Sequence, residues 1–113
     1  MTNIPQNRTD FKIITWNARS VKNKKDDLLN LINHLNIDIV IITESWLSDS
    51  DNFGLPTFTI IRNDRVDGYG GVCICIKRHI PFTIIENHYD PNSSDLQYIT
   101  FQCYNIGIMA LYI

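Results

Sequence analysis

The stretch Asp38-Ile39-Val40-Ile41-Ile42-Thr43-Glu44-Ser45-Trp46-Leu47 decides the fold. From Ile37 to Thr43 it is an apolar run broken only by Asp38. A run of that length, rich in β-branched residues, reads as a strand buried on both faces, and such strands usually belong to parallel sheets. Immediately upstream, Leu28, Leu31, Ile32 and Leu35 recur at helical spacing. Asn23 reads as the helix cap, Asp26 and Asp27 suit the first turn, and Asn36 suits a left-handed stop. Upstream again, Lys12-Ile13-Ile14-Thr15-Trp16 reads as a second buried strand. Strand, helix and strand make one crossover unit, so both strands run the same way. Asn17 and Glu44 then end neighbouring strands on the edge where open α/β sheets bind ligands. A carboxylate and an amide there can hold a hard divalent cation such as Mg²⁺ and a phosphate oxygen. Spacing alone leaves a choice, because turn residues and polar strand ends are common.

Downstream the character changes. Residues 48–56 are polar and turn-rich, and 57–62 read as a strand. A loop follows over 63–70, then an alternating strand over 71–77 and a short strand over 82–86. After a loop over 88–95, strands over 96–103 and 106–112 are joined by a tight turn at Tyr104-Asn105. The expected class is α/β with many strands.

Composition sets outer bounds. With 113 residues, 44% of them hydrophobic, the chain builds one core. A net charge of −2 with 19% charged residues makes no case for nucleic acid or membrane, so any DNA contact must come from a local patch. The 3 cysteines include no Cys-x-x-Cys pair, which argues against zinc and fits reduced thiols in the cytoplasm or nucleus. Residues 1–10 read as a disordered polar leader and not as a secretory signal. The apolar ending Ala110-Leu111-Tyr112-Ile113 reads as a domain cut short.

Three blocks carry a family resemblance. Ile14-Thr15-Trp16-Asn17, then Asp38 to Leu47, then Asp64-Arg65 with Gly68-Tyr69-Gly70-Gly71-Val72 resemble, in order, blocks of the endonuclease/exonuclease/phosphatase superfamily. The combination is most similar to the apurinic-like endonuclease domain of non-LTR retrotransposons, over residues 11–113. The resemblance implies the N-terminal half of a four-layer, DNase I-like α/β sandwich that hydrolyses phosphodiesters with Mg²⁺, or Mn²⁺ in its place. It implies DNA as partner and a fused reverse transcriptase domain in the full protein. Glu44 would be the metal-binding carboxylate, Asn17 would help orient the metal site and the scissile phosphate, and Tyr112 would sit near the phosphate. Where related repair enzymes often place an acid two residues after the strand-end Asn, this chain has Arg19.

The segment 62–71 is the expected DNA-contacting loop. Arg62 and Arg65 can meet phosphates, Tyr69 can pack on a sugar or base, and Arg19 can add a phosphate contact. The plain alternative is a solvated loop. The histidines lack ligand spacing. The family's Asp-x-Asn segment and its terminal acid–histidine pair are not seen, because Asp90-Pro91-Asn92 falls too early. This chain is therefore expected to hold half a site and to be inactive alone. The rivals are a phosphatase or a lipid or inositol phosphodiesterase of the same fold, and a non-catalytic relic of a mobile element.

Overall fold

A computed structural model describes residues 10–92 and 96–113. The expected leader lies outside the described residues except for Asp10, as does the end of the loop at 93–95.

The elements are β1 (Ile13–Asn17), α1 (Lys25–Leu35), β2 (Ile39–Thr43), β3 (Phe58–Asn63), β4 (Val72–Lys77), β5 (Thr83–Tyr89), β6 (Gln97–Cys103) and β7 (Ile106–Tyr112). One sheet has the order β1-β2-β4-β3 and the other β5-β6-β7. The two sheets and the helix stack as three layers. Ile39, Ile41, Ile74 and Ile76 meet Ile99, Phe101, Cys103 and Ala110 between the sheets. On the opposite face, Val40, Ile42, Cys73 and Cys75 pack with Leu28 and Ile32 of α1.

The central run behaves as read: Ile39 to Ile42 are all buried, because β2 is covered by helix on one face and sheet on the other. Its sheet is mixed, though. Only β1 and β2 are parallel, while β4 pairs antiparallel with both β2 and β3. A strand covered on both faces reads the same in either direction, so apolarity did not report polarity. For the same reason β4 is buried from Val72 to Ile76 and does not alternate. Asp38, the break in the run, is fully buried and accepts the Lys12 N–H at 2.9 Å, while its own N–H donates to the Lys12 carbonyl at 2.9 Å. That reciprocal pair sets where β1 begins against β2.

The helix departs from expectation at its start. Lys24, not Asn23, occupies the cap with no side-chain capping bond, and Asn23 sits in the left-handed region at φ 65°. The Lys24 N–H instead donates to the Val21 carbonyl. Asn36 closes the helix in the left-handed conformation expected of it, at φ 54° and ψ 52°. Leu28 and Ile32 are buried, whereas Leu31 and Leu35 stay exposed. Strand β5 runs on to Tyr89, through residues expected to be loop.

Candidate functional site

The parallel register brings the two predicted strand ends together. Asn17 lies opposite Thr43, one residue before Glu44. The pairing continues past the strands. Ala18, Ser20 and Val21 donate their N–H groups to the carbonyls of Thr43, Glu44 and Ser45 at 2.9, 2.9 and 3.0 Å. From the other side, the Trp46 N–H donates to the Gly70 carbonyl at 2.9 Å and the Ser45 N–H to that of Gly71 at 3.5 Å. Glu44 is thus clamped between the loop after β1 and the loop before β4. Arg19, Ser20, Glu44 and Trp46 all have positive φ, between 49° and 89°. Each such residue costs about 1 kcal/mol or more, and strain of this kind gathers at functional sites. Glu44 is half-buried and Asn17 exposed. Asn17 also lines a groove of about 360 Å³ with Thr43, Met109 and Leu111, between the free edges of β1 and β7.

Beneath this ledge lies a network of side-chain amides that sequence reasoning missed. Gln97 is fully buried, as is no other glutamine among the described residues. Its Oε1 accepts the Gly71 N–H at 3.0 Å, and its Nε2 donates to Asn63 Oδ1 at 2.9 Å and to the Asn63 carbonyl at 3.1 Å. Asn63 in turn donates to Asn87 Oδ1 at 2.6 Å and to the His88 carbonyl at 2.8 Å. The signal was present in β6: Gln97, Ile99, Phe101 and Cys103 fall on every second position, which puts Gln97 on the core face. Tyr112 stands opposite Gln97 in the β6–β7 ladder and packs into the core between the sheets. A Cβ on Gly70 would come within 3.2 Å of both Gln97 Oε1 and the Tyr112 ring. Tyr112 is therefore brought to the Gly70–Gly71 bend that clamps Glu44.

The residues expected to contact DNA divide. Arg62 donates to Asp64 through Nε and a terminal nitrogen, and to the Asp51 and Ser48 carbonyls at 2.8 and 2.9 Å. The Asp64 carboxylate raises its pKa above the ordinary value. With those bonds made inside the protein, Arg62 staples the 48–51 loop to β3. Arg65 pairs with Asp67 at 3.3 Å. Tyr69 is 60% exposed and meets Trp46 edge-to-face, with ring centroids 5.3 Å apart. Trp46, two residues past Glu44, thus forms with Tyr69 an aromatic ledge beside the site. Arg19 is exposed on the loop after β1. The Lys22 ammonium pairs with Asp51 at 3.2 Å. The Ser48 N–H, then Lys22 and the Ser48 hydroxyl, hold the Asp51 carboxyl below its ordinary pKa.

Among the described residues, no three His, Cys, Asp or Glu side chains converge. Glu44 and Asn17 nevertheless fit a hard divalent cation in part, since Mg²⁺ commonly takes one or two carboxylates and fills its remaining positions with water and substrate oxygens. All three cysteines are free and buried. Burial pushes the Cys103 thiol up, and the neighbouring Cys73 and burial push that of Cys75 far up. His34 and His79 are exposed, and His88 stacks on Tyr98 at 4.8 Å.

Residues 14–113 match the model of the Endonuclease/Exonuclease/phosphatase family. The chain belongs to that family. No curated protein sequence matches it. Among the solved structures that do is the 3′ phosphatase NExo from Neisseria, bound to product DNA hairpin. The likeness has a TM-score of 0.66 at 18% identity and covers 88% of this chain. The chain spans 40% of the length of that protein. The shared fold is the mixed α/β, DNase I-like arrangement, of which the helix and two sheets described above are a part. No helix among the described residues is long and apolar enough to cross a membrane.

Proposed function

We propose that the protein is a divalent-metal-dependent phosphodiesterase that nicks DNA, of the kind that opens target sites for retrotransposon integration. In this reading Glu44 supplies the carboxylate and Asn17 the amide oxygen that hold Mg²⁺, or Mn²⁺, and orient the phosphate. The metal supplies Lewis-acid stabilisation of charge on phosphorus. The observation that carries the reading is the side-by-side placement of Asn17 and Glu44 on parallel strand ends, clamped by backbone bonds from two loops. Tyr112, beside the Gly70 bend, is the residue that would sit near the phosphate. The Tyr69 ring, exposed and braced by Trp46, favours DNA, because an aromatic face stacks on bases, which an inositol phosphate or free phosphate lacks. Arg19, Arg62 and Arg65 are the phosphate-contact residues. The general base and a second metal-side acid come from residues beyond these, in a protein that also carries a reverse transcriptase domain and works in the cytoplasm or nucleus.

The test is a titration of the isotope-labelled chain with Mn²⁺ and then with a DNA hairpin, followed by amide NMR. Selective broadening at Asn17 and Glu44, lost in Glu44→Gln, and shifts at Trp46 and Tyr69 on adding DNA are the expected results. Absence of selective broadening would sink the metal assignment and favour a non-catalytic relic. Shifts with inositol phosphate but not DNA would replace the substrate. The chain alone is expected to leave supercoiled plasmid intact; Mg²⁺-dependent nicking abolished by Glu44→Ala would refute the half-site reading.

A further inference from the structure

We infer that Gln97 is a positioning residue for Glu44, acting through the backbone of Gly70 and Gly71. Its side chain makes no contact with the site itself. It lies in the other sheet, fully buried beneath the Gly70–Gly71 bend. Its one acceptor takes the Gly71 N–H, and its amide nitrogen reaches Asn63 twice, so the carboxamide is held at both ends. Asn63 is anchored in turn on β5 through Asn87 and His88. The bend so held presents the Gly70 and Gly71 carbonyls to the N–H groups of Trp46 and Ser45. Those bonds keep Glu44 and Trp46 at positive φ, 54° and 56°, a conformation that local preference opposes. Gln97 and Asn63 are buried amides beside the apolar cluster of Ile39, Ile74, Ile99 and Phe101, and a buried amide is costly unless its bonds are made. Its placement at the end of the sheets nearest Glu44 gives that cost a purpose: it transmits the packing of the second sheet to the metal-side carboxylate.

The proposal rests on the reading of Glu44 as that carboxylate, and two readouts separate the two claims. Gln97→Met keeps length and loses all three hydrogen bonds. Amide hydrogen exchange at Ser45 and Trp46 should rise about tenfold in this variant, as expected for loss of one net hydrogen bond, while Ile99 and Phe101 keep their protection. Mn²⁺ broadening of Glu44 should weaken in parallel. Unchanged exchange at Ser45 and Trp46 overturns the proposal, and so does uniform acceleration that includes Ile99 and Phe101, which marks a merely structural residue. If the variant does not fold, the wild-type Gly71 amide decides: protection like that of Ile74 supports the clamp, and free exchange overturns it. If wild-type chain shows no Mn²⁺ broadening at Glu44, the metal reading fails whatever the exchange result.

Discussion

Substituting Gly71 by alanine tests the clamp on Glu44 by a route independent of metal. Gly71 sits at φ +91°, where an L side chain costs about 1–2 kcal/mol. A Cβ there would also stand 2.5 Å from the Ser45 hydroxyl oxygen, against 3.8 Å from Ser45 Cβ. Ser45 is fully buried, so displacing its hydroxyl overpacks the bend, at a cost of about 1 kcal/mol. Gly71→Ala should therefore destabilise by about 2–3 kcal/mol in total. The same hydroxyl has no hydrogen-bond partner among the described residues. Its removal in Ser45→Ala should be neutral, or stabilising by up to about 1 kcal/mol. In the double variant the overlap disappears and only the backbone strain remains. The two changes should then couple by about 1 kcal/mol, beyond the usual additivity error of about 0.5 kcal/mol. Urea unfolding followed by far-UV circular dichroism gives each free energy, provided the four proteins share one denaturant slope. Gly54 is the control, with positive φ absent and nothing within 4 Å of its would-be Cβ, so Gly54→Ala should cost nothing. Additive Gly71 and Ser45 effects would refute the packing argument. A neutral Gly71→Ala would refute the strain argument as well.

Other outcomes follow from the same geometry. Arg62→Ala should loosen the 48–51 loop and cost about 2 kcal/mol, a figure kept low because the guanidinium is partly exposed; Arg62→Lys should restore little, since an ammonium cannot fork between Asp64 and two carbonyls. All three thiols should resist an aromatic disulfide reagent in the native chain and react together in urea, because they are buried and their pKa values are raised where resolved. Asp51 has a depressed folded pKa, so its tie to Ser48 and Lys22 should be complete above the ordinary carboxylate range of about 4 and be lost as pH falls through the lower folded value; the Ser48 amide shift reports it. The free edge of β7 exposes Met109 and Leu111, so the chain should self-associate, and Met109→Lys with Leu111→Lys should reduce the sedimentation coefficient toward that of a monomer.

What the sequence revealed depended on whether a residue's surroundings were local. The β1–α1–β2 unit was legible because its signals lie within the segment: a helical apolar stripe ending at Asn36, and an apolar run too long to have a wet face. From that unit alone, Asn17 and Glu44 could be placed on one edge. The direction of β4 and the length of β5 were not legible, because partners distant in sequence decide them. β5 continues through Asn87 and His88, whose oxygens receive the Asn63 amide from 24 and 25 residues away. The internal bonds of Arg62 were hidden for the same reason: in sequence it is a charge beside a glycine-rich loop, and only the fold supplies the Ser48 and Asp51 carbonyls.

The same distinction explains how the edge is built. Glu44 and Trp46 hold left-handed conformations with side chains that do not favour them, where glycine would adopt them freely. Glycine at position 44 would relieve the strain and remove the carboxylate. The chain keeps the carboxylate, puts its glycines at 70 and 71, and supports them from the second sheet with a buried amide. Relief of strain and placement of charge are thus divided between two loops that meet only after both sheets have formed. A half-folded chain holding β1, α1 and β2 alone would contain Asn17 and Glu44 in register without the bonds from Gly70 and Gly71. The carboxylate should become ordered last, after β4 and β6 are in place, and Glu44 mobility on the microsecond scale should report the docking of the two sheets.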